Sequence, residues 1–279
     1  MTQSPPHVTL NGSRLVRFLS DLAVTDVTLT HKNFAQRLGQ LIGFSDSFTL
    51  ATRYDELKSI KFDQSSIPAD LQYDSVSKEI LQVRKSIVQS IIKSFAPNNG
   101  SSPVRNKFPV GTADTLVPQS TAYEPYLRFY TAKQRDIDLK IQTLQTSVRD
   151  SVSGISPELA QLAALDSALT DMLVIHQRKV FAVIPGLLRK RFEHLLHEYR
   201  GLEQQRDHSK QHGNKQSDDN STLSAHSQTL LENFNRQFCT ETQGLLLAEL
   251  ELRLQPVIGL IEALNQHDKD NEEVDKNHD

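Results

Sequence analysis

Residues 157–202 read PELAQLAALDSALTDMLVIHQRKVFAVIPGLLRKRFEHLLHEYRGL. Leu162, Leu165, Leu169, Met172, His176 and Val180 continue one stripe at helical spacing, and Leu188, Phe192, Leu195, Tyr199 and Leu202 alternate steps of four and three. That spacing puts them on one side of a helix of 3.6 residues per turn. Ser156, Pro157 and Glu158 supply an N-cap, a first-turn proline and a charge suited to the positive end of the helix dipole. A straight helix of this length spans about 70 Å, so an elongated molecule is expected. Pro185, followed by Gly186, lies deep inside the pattern, where a proline costs roughly 3 kcal/mol. Val183, Ile184, Leu187 and Leu188 are apolar enough to offset that by burial, at about 1.5 to 3 kcal/mol each. The expectation is a packed kink.

A second arm runs from Leu223 to Leu264, with Leu247, Leu250, Leu254, Val257, Ile261 and Leu264 in register and Pro256 inside it. Residues 203–222 between the arms contain no apolar side chain, which predicts a solvated insert joining a helical hairpin. Counted from that insert, Pro185 stands 18 residues before it and Pro256 34 after it. The two bends are therefore expected at different heights, independent of one another.

Upstream, Tyr123, Tyr130, Ile137 and Leu144 fall seven apart, with Ile141 and Val148 between, giving a heptad seam. Val76, Ile80, Val83, Ile87 and Ile91 form another stripe, ended by Pro97. Nearer the N-terminus, Ser13 precedes a helix carrying Leu15, Leu19 and Leu22, Phe34 to Gly43 reads as a second helix, and Ser45 to Ile60 as a shorter one. Pro97 to Thr121 is rich in turn formers and reads as a linker. The resulting division is an N-terminal helical region at 1–96, a linker at 97–121, a long-helix bundle at 122–265 with the polar insert 203–222, and an acidic disordered tail at 266–279. The fold class is all-α: an elongated antiparallel helical bundle with coiled-coil-like seams plus smaller N-terminal helices. The N-terminal helices either close the bundle or cap one end.

Composition agrees. The 279 residues are 37% hydrophobic and 23% charged, with no Trp and 11 Gly, which suits long helices with one buried stripe. A net charge of −3 argues against a surface built throughout for nucleic acid. Cys239 is the only cysteine, so no intrachain disulfide forms and a buried, inert thiol is expected. Residues 1–10 lack the charge and apolar pattern of a secretory signal. The longest strongly apolar run, Val180 to Leu188, is far short of the ~20 residues that span a bilayer. A cytoplasmic protein without a transmembrane segment is expected, with peripheral membrane contact left open.

No catalytic signature is present: there is no Gly-rich phosphate loop, no Gly-x-Ser-x-Gly elbow and no Cys with a positioned His. No enzyme and no cofactor is expected. His194 and His197 stand at i, i+3, but the helical metal patterns His-Glu-x-x-His and Glu-x-x-His are missing there, so no metal is expected. Arg178, Lys179, Arg189, Lys190 and Arg191 gather around the Pro185 bend, and residues eleven apart return to the same face. They read as a solvated basic face or as a site for an anion, nucleic acid or acidic partner.

Several phrases, Ser13-Arg-Leu-Val-Arg-Phe-Leu, Phe34-Ala-Gln-Arg-Leu-Gly-Gln, Tyr126-Leu-Arg-Phe-Tyr, Leu162-Ala-Ala-Leu-Asp, Ile184-Pro-Gly-Leu-Leu and Leu247-Ala-Glu-Leu-Glu-Leu-Arg-Leu-Gln-Pro-Val, together resemble an uncharacterised proteobacterial domain-of-unknown-function family. The resemblance implies a helical cytoplasmic protein encoded beside stator-like proteins of the flagellar motor and TolQ type and an OmpA-like protein. It supplies no catalytic residues. The expected function is a non-enzymatic helical scaffold or adaptor that binds protein partners or itself, on the cytoplasmic side of an envelope energy-transducing complex. The alternative is a binder of nucleic acid or an anionic surface through the basic residues named above.

Overall fold

The seam of residues 123–148 becomes the central helix of the computed structural model, which describes residues 14–21, 48, 51–52, 55, 69–97, 107–112, 122–211 and 220–276. Among them are α1 (Arg14–Asp21), α2 (Ala69–Phe95), α3 (Glu124–Ser153), α4 (Pro157–Gln211) and α5 (Asn220–Lys276). Tyr123, Tyr130, Ile137, Ile141, Leu144 and Val148 are all buried, as their seven-residue spacing predicts. At 55 residues α4 is about 80 Å long, and the molecule is elongated to match.

Specific contacts fix the topology. Ser147 donates to Glu79 at one end, and Phe95 packs on Phe129 at the other, so α2 and α3 are antiparallel. Arg149 pairs with Asp166, and Tyr123 reaches Pro185, which sets α4 antiparallel to α3. Arg191 pairs with Glu241, and Phe181 meets Arg253, which turns α5 back along α4. The result is an up-down-up-down four-helix bundle in which α3 and α5 pack together across one diagonal. Residues 69–95 are thus a full member of the bundle, closing it rather than capping it. α1 lies outside on α5, where Arg14 pairs with Glu251 and the Phe18 ring occupies the space a Cβ would need at Gly244.

One end of the core is aromatic. Phe192 packs on Tyr123, Tyr126, Phe234 and Phe238, and such pairs add about 0.5 to 1.5 kcal/mol each beyond area burial. Part of the expected linker belongs to this cluster: Phe108 is buried against Phe95, Phe129, Tyr126 and Phe238. Gly111 exchanges two hydrogen bonds with the Asn235 side chain at 2.8 Å. A lone aromatic among turn formers has no periodicity to announce it, yet the bundle end gains by covering itself.

The helices run farther than their apolar stripes. The insert expected over 203–222 is narrower, since α4 continues through Gln211 and α5 starts at Asn220, and the tail expected from 266 is helical through Lys276. Propagation of an existing helix adds one bond per residue and needs no burial, and Glu, Gln, Lys and Arg are good helix formers. Ser156 caps α4 as its sequence implies, accepting from Leu159 N at 3.2 Å. Phe48, Ala51, Thr52 and Asp55 are helical, in line with the short helix expected there. Ser13, Leu22 and the helix expected from Phe34 to Gly43 lie outside the described residues.

Candidate functional site

Pro185 has no N–H, so the carbonyl of Phe181 one turn earlier loses its helical partner. The structure replaces it from α3: Gln134 Nε2 donates to Phe181 O at 3.2 Å, and Tyr123 Oη donates to Pro185 O at 2.8 Å. Pro185 and Ile184 are buried. The helix runs unbroken through Pro185, and the position is held by two side chains from α3 and its N-cap as well as by burial. Gly186 is exposed with nothing near its α-hydrogens.

Gln134 also reaches the carboxylate of Glu249, which is 0% exposed, at 3.0 and 3.1 Å. Tyr130 Oη donates to Glu249 at 2.9 Å, and Arg253 Nε and Nη2 donate at 3.1 and 2.7 Å. Arg253 pairs further with Asp138 and stacks its guanidinium 3.8 Å from the Phe181 ring centroid. A carboxylate sealed in the core is costly unless its oxygens are satisfied. Here donors from α3 and α5 satisfy it, and one of them, Gln134, also caps the carbonyl that Pro185 leaves free. The two prolines do stand at different heights, because Arg191 lies level with Glu241. Their surroundings are nonetheless joined: Phe181, one turn before Pro185, meets Arg253, three residues before Pro256.

Burial pushes the Tyr130 phenol well above its ordinary value, with the Glu249 charge adding to the shift. Burial likewise raises Tyr123, and brings Tyr126 up to about 12. For such groups the stabilising contribution is complete below the unfolded value of 10.0 and is lost as pH rises through the folded values. In an alkaline titration these three phenols should ionise only together with loss of helical circular dichroism. Phenolate absorbance from all the tyrosines while the helix signal is intact would show that they are not sealed.

Beyond the network α4 stands away from α3 and α5, leaving a cavity of about 640 Å³ lined by Ile141, Leu173, Val174, Phe181, Leu252 and Pro256 with polar groups between. Gln145, 9% exposed, borders it with no hydrogen-bond partner among the described residues. His176 Nδ1 is buried there without a partner. Farther along, α4 is tied back to α3 by Arg149, which bonds Asp166 at 2.7 Å and Thr170 at 2.6 Å.

This separation changes the reading of α4. Leu188, Phe192, Leu195 and Tyr199 are buried as expected, but none of Leu162, Leu165, Leu169, Met172, His176 and Val180 is. Ile175, Val180 and Val183 are 59%, 59% and 56% exposed. The segment Pro157–Gln204 is long and apolar enough to cross a membrane by length and composition, and little of its apolar window is buried. That corrects the expectation that no segment qualifies. Asp166 and Asp171 interrupt every apolar run there, yet the residues around them are apolar enough to keep the mean hydropathy of the segment high.

The five basic residues do not form one free surface. Arg191 is half-buried and holds Glu241 at 2.7 and 2.9 Å, and that hydrogen bonding raises its pKa. Arg189 pairs with Glu193 at 3.2 Å and lies over the Tyr123 ring. Lys190 is exposed, and Arg178 and Lys179 sit at the cavity rim. His194 lies 3.6 Å from Glu198, and among the described residues no group of three or more potential metal ligands occurs. Cys239 is half-buried, and burial raises its thiol pKa.

Sequence reasoning missed Tyr130, Gln134, Glu249 and Arg253. The available signal was Glu249 interrupting the apolar run from Leu245 to Leu250, with Arg253 one turn on. No curated protein and no solved structure matches the chain. The profile of a family described as "protein of unknown function (DUF3348)" matches residues 1–266, so the chain belongs to the DUF3348 family.

Proposed function

We propose that this protein is a non-enzymatic helical scaffold that assembles through the uncovered face of α4, and that the occupant of that face is a second copy of the same chain, antiparallel to the first. The observation that carries this is a self-complementary stripe. Ala164, Ala168, Asp171, Lys179, Ala182 and Gly186 all fall within about 40° of Ile175 around the helix axis. The stripe reads the same from both ends about Ile175, small residue against small residue and acid against base. A two-fold axis through Ile175 would set each Asp171 against the partner copy's lysine at position 179, as a self-complementary interface requires. Asp171, Ile175, Lys179, Ala182 and Gly186 are exposed, and neither Asp171 nor Lys179 has an ion-pair partner among the described residues. The small residues would let two helices approach closely, and Ile175 and Val183 would leave water. With Arg189 and Arg191 already paired, a nucleic-acid role for the basic residues has less support.

The family resemblance offers a setting for such a scaffold: the cytoplasmic side of an envelope energy-transducing complex, beside stator-like and OmpA-like proteins. Sedimentation should show a concentration-dependent dimer. With Cys239→Ser as background, Ile175→Cys should cross-link readily under mild oxidation, since an axial position brings both sulfurs within reach. A cysteine at the exposed Leu139 of α3 should not. A monomer at all concentrations with no cross-link refutes the proposal, as does flotation of that monomer with phospholipid vesicles, which would assign the face to a membrane.

A further inference from the structure

We infer that a second cavity, on the α2–α3 side of the bundle and separate from the α4 face, is a binding site for a phosphoryl group. It has a volume of about 370 Å³ and is bordered by Ser90, Lys107, Arg128, Lys133, Asp136 and Lys140. Four cationic side chains thus face one carboxylate.

Lys133 is the informative residue. It is 6% exposed, yet its ammonium has neither a hydrogen-bond nor an ion-pair partner among the described residues; the Phe129 ring lies 5.9 Å away, and the Asp136 carboxylate attracts it from beyond ion-pair distance. The other cations have structural work. Lys107 Nζ donates to the carbonyls of Lys93 and Ala96 at 2.9 and 2.7 Å, neutralising the exposed end of α2. Lys140 pairs with Asp136 at 2.9 Å, and Arg128 with Glu124 at 3.1 Å.

The ammonium of a mostly buried side chain that faces a cavity without a hydrogen-bonded anion gains by acquiring one; burial lowers the Lys133 pKa, with the Asp136 charge opposing that shift. A dianion would supply the missing partner. A phosphoryl group fits for three reasons: the space admits it, Lys133 lies at the cavity wall, and Arg128 and Lys140 at the rim can each add a charge-assisted hydrogen bond. The Ser90 hydroxyl is a further donor.

The test is thermal unfolding of the full chain, followed by circular dichroism, in inorganic phosphate against sodium chloride of equal ionic strength. A site with a Kd of about 1 mM should raise Tm by about 3 to 6 °C at about 10 mM phosphate. Lys133→Met should abolish that shift while keeping a basal Tm no lower than wild type. If that variant does not fold, Arg128→Gln, at the exposed rim, should reduce the shift. Glycerol 3-phosphate as a second arm separates the two sources: a larger shift than with phosphate assigns the site to a phosphate ester, an equal or smaller one to the free ion. A shift no larger than with chloride, or one unchanged in both variants, overturns the inference.

Discussion

Glu249→Leu should destabilise the protein by about 3 to 5 kcal/mol, the cost of stripping one partner from a buried charge network. For a bundle of this size the loss corresponds to roughly 10 °C in Tm. The substitution leaves the guanidinium of Arg253 with Asp138 as its only carboxylate, and the buried Tyr130 hydroxyl without its acceptor. Changing the whole cluster, Tyr130→Phe with Glu249→Leu and Arg253→Met, should restore stability to within about 1 kcal/mol of wild type or exceed it, because matched apolar replacements remove the desolvation cost with the charges. Gln134 is retained in that variant to keep its bond to Phe181 O. Denaturant unfolding of the single and triple variants measures both. A single variant within about 1 kcal/mol of wild type would mean that Asp138 alone is enough to satisfy the Arg253 guanidinium.

The second large effect concerns assembly. Lys179→Asp should weaken the proposed dimer roughly 30-fold, since two-fold symmetry turns two attractive pairs, each worth up to about 1 kcal/mol, into two repulsive ones. Asp171→Lys should do the same. Combining Asp171→Lys with Lys179→Asp reverses both partners of each pair and should restore dimerisation. That recovery separates a specific antiparallel pairing from general loss of apolar contact. Sedimentation equilibrium reads all three. A double variant as weak as either single one would remove the two-fold register through Ile175, and any other pairing of the face would then need a different axis.

The two results bear on one helix. The Glu249 cluster grips α4 at Phe181, one turn before Pro185, and the Arg149 bonds to Asp166 and Thr170 hold it nearer its start. Between those anchors α4 spans the large cavity with its outer face free. A rigid, uncovered segment between two fixed points is a good docking surface, because little ordering is left for association to supply.

Much of this architecture was legible in the residues. The seven-residue spacing of Tyr123, Tyr130, Ile137 and Leu144 identified α3 and its buried side, and Ser156 with Pro157 marked the start of α4. Periodicity works there because a helix repeats its surface every few residues, so burial leaves a regular trace in the chain. The same rule misread Leu165 to Val180. Those residues carry a core pattern, but a pattern only says that a face is apolar. Whether the chain's own helices cover it depends on where α3 and α5 lie, and they leave it half-open. The polar stretch after residue 202 erred the other way, for a helix already formed continues without anything to bury.

By itself, then, the sequence determined the long helices and their apolar sides, since these follow from local spacing. Only the tertiary structure decided that residues 69–95 complete the bundle, that Phe108 enters the core, and that Gln134, Glu249 and Arg253 meet beside Phe181, one turn before Pro185. It also decided that Lys133 lines a cavity without a hydrogen-bonded or ion-paired anion and that the α4 stripe faces outward. Each of these depends on groups far apart in the chain, and distance in space between such groups leaves no period for a sequence to show.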